Sequence, residues 1–378
     1  MHRTDSSISV VLVISNLEFG GAQRQMVELV NSSDDLDVEY HIVSLSEHVP
    51  LASQLVDKRK LHIIQKRFKY DVTVPIRLAA LLRKLKSDVV HGVLFDAEIA
   101  SRIASRIANT RAMVGSERNT GYKLKRTQLL ASRMTKGFRK KCIANSSSGA
   151  RFNSKLLGYQ PSHYAVVYNG VDVQRFRPRN KGELLNKLDL DANARWIGMV
   201  GSFKKQKNQT IFIEVARQIA DEYGDVRFLL VGDALANAAQ NTDIYKNQIL
   251  AMISKLGLSE QITIKGNTES VEDIYPVCEM TILPSLFEGT PNVALESMAS
   301  AVPVIASDVS DNSRIIPDGE VGFIVPVNDI DATADAVRQL LMPDVASQFG
   351  RRARAWVTSE YNTAKYAENM LEAYRQAL

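Results

Sequence analysis

Short apolar runs, each followed by an amphipathic stretch, recur along almost the whole chain. Strands separated by helices cannot pair as hairpins; they build a mostly parallel sheet covered on both faces. In the first half the expected strands are Ile8 to Ile14, Tyr40 to Leu45, Asp88 to Leu94, Ala112 to Gly115 and Cys142 to Asn145. Helices are expected over Ala22 to Val30, Ile76 to Leu85 and Glu98 to Ala108, and this half ends near Val166 to Asn169. A second series begins at Trp196, with strands at Ile197 to Gly201, Val226 to Gly232, Ile262 to Lys265, Met280 to Pro284, Val302 to Ala306 and Gly322 to Val325. Helices fill its gaps, notably Gln209 to Ala220, Pro291 to Ser300 and Ile330 to Leu341.

Between the halves, 172–194 has no apolar period, contains Pro178 and is rich in Arg, Lys, Asn and Asp, the signature of a linker. Val357 to Gln376 is expected as a lone amphipathic helix with no strand after it. A chain of 378 residues is too long for one core when domains run to ~150 residues. The expectation is therefore α/β: two doubly wound, Rossmann-like domains facing a central cleft, over 1–175 and 176–356, with the helix of 357–378 packing back on the first. Open sheets of this kind bind ligands outside the carboxyl ends of their strands, so function is expected there.

Bulk properties narrow the function classes. Cys142 and Cys278 are the only cysteines, far apart and without CxxC or Cys/His spacing, so neither a disulfide framework nor a zinc site is indicated and a cytoplasmic setting is expected. Arg3 precedes the apolar Ile8 to Ile14, but polar Ser15, Asn16 and Glu18 follow with no small-residue cleavage site, so no secretory signal is expected. No window approaches the ~20 apolar residues of a membrane-spanning helix; any membrane association is expected to be peripheral. The net charge of +5 is unevenly placed: Arg118, Lys123, Lys125, Arg126, Arg133, Lys136, Arg139, Lys140 and Lys141 follow one another with no acidic residue between them. This stretch is either a solvated helix face or a surface attracted to anionic lipid or a phosphate-bearing acceptor. No stacking aromatics of an RNA-binding module accompany it, so nucleic acid is not expected as a partner.

The densest chemical signal is Phe287-Glu288-Gly289-Thr290-Pro291-Asn292-Val293-Ala294-Leu295-Glu296, directly after the strand ending at Leu283-Pro284. With Thr290 as N-cap and Pro291 as first helical residue, Glu288 sits just before a helix and Glu296 about a turn and a half inside it. Both carboxylates can then face one ligand, and the backbone N–H groups between Thr290 and Val293 suit phosphate oxygens. Taken singly, each Glu could equally be a helix-start acid favoured by the dipole.

The order strand, Pro-Ser, Phe-Glu-Gly, Pro-Asn, Leu-Glu, Met-Ala, Val-Pro-Val-Ile resembles the donor-site signature of the retaining glycosyltransferases of family 4, which have the GT-B fold. The resemblance implies that Glu288 contacts the transferred sugar and Glu296 the ribose hydroxyls, with Gly289 to Val293 lining the donor. Phe19-Gly20-Gly21-Ala22 resembles the family's glycine loop, where lack of a Cβ lets backbone N–H groups approach the donor. Tyr168-Asn169-Gly170-Val171-Asp172, with Phe176 and Pro178, resembles its end-of-domain signature. Val200 to Asn208 resembles its phosphate-binding segment, which assigns Lys207 to the donor diphosphate. An arginine usually follows the glycine there; Ser202 stands in its place, and the charge is either missing or supplied by Lys204, Lys205 or Arg24. Thr268, with Gly266 and Asn267, falls where relatives contact the base. Val89 to Glu98 resembles the segment where many relatives carry HxH, but Val93 replaces the second histidine. His91 is then either a satisfied strand-end residue or an acceptor group, and Asp96 a candidate for the sugar or acceptor. Arg118 and Asn119 follow a short strand on the same edge; Arg118 either binds an acceptor phosphate or belongs to the basic face.

The resemblance implies transfer from a nucleoside diphosphate sugar, by default a UDP-sugar, to an acceptor hydroxyl in cell-surface polysaccharide or glycolipid assembly. Glu288, Lys207 and Asp96 form the expected catalytic set, with no cofactor, no metal and no protein nucleophile. The acidic pairs in 35–37, 189–191 and 329–331 read as loop, linker and helix-cap positions rather than metal ligands. The basic stretch adds a lipid-diphosphate-linked saccharide as the expected acceptor. Two alternatives stay open: a nucleotide-sugar epimerase of the same fold, and a non-catalytic nucleotide-sugar-binding partner subunit, which Ser202 and Val93 favour. A nicotinamide dehydrogenase does not fit, because GxGxxG does not follow the first strand.

Overall fold

The computed structural model describes residues 7–378 apart from 19, 69, 70, 119, 121–123, 235–241 and 269. The chain divides into two compact units, one of residues up to Gly170 together with Thr363–Leu378, the other Val171–Asn362. Unit 1 runs β1 (Ile8–Ile14), α1 (Gly21–Asn31), β2 (Val38–Ser44), β3 (Leu61–Ile63), α2 (Val74–Lys84), β4 (Val89–Val93), α3 (Phe95–Ala108), β5 (Ala112–Glu117), α4 (Arg126–Met134), β6 (Lys141–Ala144), α5 (Ser147–Leu157) and β7 (Tyr164–Val166). Its strands form one parallel sheet in the order β3-β2-β1-β4-β5-β6-β7. Side chains alternate along β1, as the pleat demands. Val10, Leu12 and Ile14 join one buried cluster, while Val11 and Val13 join another that contains Leu78, Leu82, Ala100 and Ala104 of α2 and α3.

Unit 2 runs α6 (Lys181–Lys187), β8 (Arg195–Val200), α7 (Gln209–Glu222), β9 (Val226–Val231), α8 (Thr242–Lys255), β10 (Ile262–Lys265), β11 (Cys278–Leu283), α9 (Asn292–Ala299), β12 (Val304–Ser307), α10 (Asn312–Ile315), β13 (Gly322–Val325), α11 (Ile330–Leu341) and α12 (Val345–Glu360). Its parallel sheet has the order β10-β9-β8-β11-β12-β13, with Phe212, Val215 and Ile219 of α7 and Val337 and Leu340 of α11 in its core. The final helix, α13 (Thr363–Arg375), belongs to unit 1 and places Tyr366, Met370, Leu371 and Tyr374 in the same cluster as Val10, Leu12 and Ile14. Burying a Leu or Met side chain in this way contributes about 1.5–3 kcal/mol.

The expected single helix over 357–376 is two helices. Tyr361 leaves helical geometry at φ −132°, its carbonyl accepts from Val171 N at 2.8 Å, and Asn362 bridges to Val171 before α13 begins. The expected linker is also more ordered than its composition suggests. Asn180 caps α6 by accepting from Glu183 N, Leu184 and Leu185 are buried, and Lys187 and Arg179 pair with the buried carboxylate of Asp273 at 2.8 and 2.6 Å. A seven-residue helix is too short for its apolar period to register in sequence.

Arg139 departs from the expected basic face. It is buried, its Nη1 donating to Glu98 Oε1 at 2.9 Å and its guanidinium lying 4.1 Å from the centre of the Tyr159 ring. Arg102 Nη2 donates to the same oxygen at 2.5 Å. Burial opposes the Glu98 charge, but the two guanidinium groups outweigh it and hold the carboxyl below its usual range. Among the described residues no helix is long and apolar enough to cross a membrane.

Candidate active site

In a doubly wound sheet the ligand crevice opens where the strand order reverses, between the first strand and its later neighbour. In unit 2 that place lies between the carboxyl ends of β8 and β11, which are hydrogen-bonded neighbours. Lys207 follows β8 and Glu288 follows β11, and their side chains meet there, Nζ to Oε1 at 2.6 Å. Ser285 Oγ donates to the same oxygen at 2.7 Å, while Ser307 Oγ, at the end of β12, donates to the Ser285 carbonyl at 2.5 Å. Glu288 is 6% exposed. A carboxylate this buried is tolerable only when paired and hydrogen-bonded, and these two donors supply both conditions. The two loops are also tied directly: Gln206 Nε2 donates to Phe287 O, and Leu286 N to Gln206 O, each at 2.8 Å.

The helix after this loop begins one residue later than expected. Pro291 has ψ 105° and is the N-cap, Asn292 is the first helical residue, and Thr290 is buried one position before the cap. The first intrahelical bonds run from Ala294 and Leu295 to Pro291 O, so the N–H groups of Asn292 and Val293 lie ahead of them at the positive end of the helix. Glu296 is buried inside α9, where Oε2 accepts from Tyr275 OH at 2.6 Å. Gly289 is buried in the turn between Glu288 and Thr290.

Ser202 is half-buried and engaged through its carbonyl, which accepts from Gln209 Nε2 at 3.0 Å. Lys205 is exposed. Lys204 is half-buried, and burial, reinforced by the nearby Lys207 charge, lowers its pKa. Of the cations that could replace the arginine, Lys204 is near enough to Lys207 for the two charges to repel. Gly232 follows β9 at φ +140°, where a Cβ would lie 2.2 Å from Gly201 O; only glycine permits that approach. Thr268 is exposed on the loop after β10, its Oγ1 accepting from Ser270 N at 3.1 Å.

In unit 1 the reversal lies between the carboxyl ends of β1 and β4. Gly20, extended at φ −128°, is the N-cap of α1, with Gly21 its exposed first residue and Arg24 half-buried one turn on. Beyond β4, Leu94 has φ 70° and ψ 155°, a strained conformation for a residue with a Cβ, and it turns the chain into α3. Asp96 is exposed in the first turn of α3, held by Lys66 Nζ at 2.9 Å. His91 is buried within β4, and its Nδ1 hydrogen-bonds to the Tyr374 hydroxyl at 2.8 Å, while Nε2 has no hydrogen-bond partner among the described residues. Burial, with Arg118 nearby, pushes its pKa down to about 3. Arg118, half-buried after β5, lies near buried Tyr366, whose pKa burial raises and the Arg118 charge lowers. Asn119, like Phe19 of the glycine loop, lies outside the described residues.

Sequence reasoning did not single out Ser285, Ser307, Tyr275, Tyr366 or Tyr374. Ser285 was the one with a local signal, three positions before Glu288. The others reach their partners from distant segments, Tyr374 across 283 residues of sequence.

Residues 19–175 match the family model described as Glycosyltransferase Family 4, and residues 194–342 the model described as Glycosyl transferases group 1. The chain belongs to the family-4, group 1 glycosyltransferases. As a member of that family it is an enzyme that transfers glycosyl groups. It is 27% identical over 314 residues to the UDP-Gal:alpha-D-GlcNAc-diphosphoundecaprenol alpha-1,3-galactosyltransferase of Escherichia coli, covering 80% of this chain and 79% of that one. It is 29% identical over 241 residues to the D-inositol 3-phosphate glycosyltransferase of Nocardia farcinica, covering 62% of this chain and 52% of that one. Its fold matches Anabaena Alr3699/HepE in complex with UDP, with a TM-score of 0.83 at 18% identity over 98% of this glycosyltransferase and 100% of that chain. It also matches the lipopolysaccharide outer core galactosyltransferase WaaB in its apo form, with a TM-score of 0.70 at 16% identity over 98% and 100% of the two chains. Both sheets are of the Rossmann-like type shared by these GT-B neighbours.

Proposed function

We propose that this glycosyltransferase moves a hexosyl or N-acetylhexosaminyl group from a UDP-sugar to a hydroxyl of a lipid-diphosphate-linked saccharide, with retention at the anomeric carbon. The observation that carries the reading is the Lys207–Glu288 pair at the point where the strand order of unit 2 reverses, beside the start of α9. UDP is favoured by the E. coli relative, whose name specifies UDP-Gal, and by the Anabaena structure, whose ligand is UDP. The diphosphate-linked lipid is favoured by the same E. coli relative.

Lys207, half-buried Lys204 and the N–H groups of Asn292 and Val293 present positive charge to a diphosphate. Fixed in place before reaction, they stabilise the charge that grows on the leaving group. Glu288, already bound to a lysine and a serine hydroxyl, is a weak nucleophile; it orients the sugar and supports positive charge at its ring. The bond between the anomeric carbon and the diphosphate breaks, the acceptor oxygen bonds to that carbon on the same face, and the acceptor proton passes to a departing phosphate oxygen. No cofactor enters this scheme, and we expect full turnover in EDTA; loss of turnover there would refute metal independence.

The decisive experiment is thermal stabilisation by UDP, GDP, ADP, CMP and NAD in turn. A ligand at ~100 times its dissociation constant stabilises by about 2.7 kcal/mol. UDP alone should give that shift. A shift with a different nucleotide would replace the donor, none at all would overturn the donor site, and a shift without turnover would favour a non-catalytic nucleotide-sugar-binding subunit. Product analysis without acceptor then separates transfer from epimerisation.

A further inference from the structure

The helix α4 is inverted with respect to the ordinary surface helix. Ser132 is its only buried residue, its carbonyl accepting from Arg102 Nη1 at 3.1 Å. Leu130 and Met134, one turn apart, stand in solvent at 59% and 74% exposure, and Phe138 follows at 36%. Lys125, Arg126, Arg133 and Lys140 are exposed around them, and among the described residues none of the four forms an ion pair. The whole stretch 118–141 holds no Asp or Glu. A surface that shows Leu and Met to water while ringing them with unpaired cations is costly in solution and favourable at an interface. Interfacial helices sink their apolar side chains ~5–10 Å into the boundary between head groups and acyl chains. Their Arg and Lys heads stay with the anionic phosphates.

We infer that α4 and the turn after it dock this enzyme onto an anionic membrane surface, with Leu130 and Met134 inserted and Arg126, Arg133 and Lys140 on lipid phosphates. Nucleic acid fits the charge but not exposed Leu130 and Met134, since single strands are held by aromatic stacking rather than by aliphatic side chains. The proposal goes beyond the transfer reaction and holds whichever donor is used. Binding is measured without donor or acceptor, so its failure is distinct from failure of the proposed reaction.

The test is co-sedimentation of the full chain with vesicles containing phosphatidylglycerol and with pure phosphatidylcholine vesicles. Strong binding to the first and weak binding to the second is expected. The double variant L130Q/M134Q, unchanged in charge, should bind the anionic vesicles about tenfold more weakly, the equivalent of about 1.4 kcal/mol. R126Q and R133Q should each cost about fivefold, an effect that vanishes in high salt. Turnover of a water-soluble acceptor should not change in L130Q/M134Q. Because both native cysteines are buried, M134C carrying an environment-sensitive dye reports insertion, and its emission should shift to the blue with anionic vesicles. Wild-type affinity in L130Q/M134Q, absence of a blue shift, or tighter binding to a single-stranded oligonucleotide than to vesicles would each overturn the proposal.

Discussion

The two places where strand order reverses are built in opposite ways. In unit 2 the polar groups come from the two loops that meet there: Lys207 from one, Ser285 and Glu288 from the other, with Gln206 bonding the loops together. In unit 1 the groups nearest the reversal are held from outside. Tyr374 and Tyr366 of α13 engage His91 and Arg118, and Lys66, after β3, engages Asp96. The difference teaches that a site assembled from two sheet loops carries its chemistry in contiguous residues, whereas one buttressed by a remote helix depends on residues that no local run records.

The sharpest way to break this comparison is to remove the pair in unit 2. Glu288→Ala and Lys207→Ala should each lower kcat/KM by about a hundredfold or more. The double variant should lose far less than the product of the two, since both groups serve one bound donor. Near-normal turnover in both single variants would dismiss the site. A smaller effect is expected of half-buried Lys204 near Lys207. Lys204→Met should weaken UDP binding about tenfold in titration calorimetry, by about 1.4 kcal/mol. Burial and Lys207 favour the neutral amine of Lys204, while a diphosphate favours the charged one. Wild-type affinity for UDP should therefore decline with rising pH before the ordinary lysine range is reached, and the variant should not show this decline.

In unit 1 the effects should be weaker. Asp96→Asn should raise the acceptor KM several-fold, about 1 kcal/mol in binding, with the donor KM unchanged and stability within about 0.5 kcal/mol, because exposed pairs such as Lys66–Asp96 contribute little. An unchanged acceptor KM would leave Asp96 as a partner of Lys66 only. The remaining effect concerns acid, and it bears on stability rather than on turnover. The folded pKa of His91, about 3, lies below its unfolded value of 6.5, so the unfolded chain binds the extra proton first. The stability contributed by neutral His91 is present above pH 6.5 and is lost as pH falls toward 3. His91→Gln should flatten that part of the melting-temperature profile; an unchanged profile would mean that other groups dominate acid unfolding.

Much of this architecture was legible because buried parallel strands are short apolar runs that helices must separate. What escaped lacked local pattern. β3 and β7 are three residues each, too brief for any period, and α6 looked like a linker because only Leu184 and Leu185 mark its buried side. The break at Tyr361–Asn362 escaped because apolar spacing continues across it. In the site, Glu288, Lys207 and Glu296 could be singled out from sequence. Their supports Ser307 and Tyr275 could not, because contact across a fold leaves no spacing rule. Arg139 shows the converse failure: nothing in a run of basic residues says which one turns inward to Glu98.

The path of the chain also bears on how the protein is made. Unit 1 is left at Gly170 and resumed at Thr363. At ~5–20 residues per second, a ribosome needs roughly 10–40 s to synthesise the intervening stretch. Throughout that time the nascent seven-stranded sheet lacks α13, and the face formed by Val10, Leu12 and Ile14 waits for Tyr366, Met370, Leu371 and Tyr374. A polypeptide cut short before α13 would therefore carry an uncovered apolar face, the kind of surface that chaperones and proteases recognise.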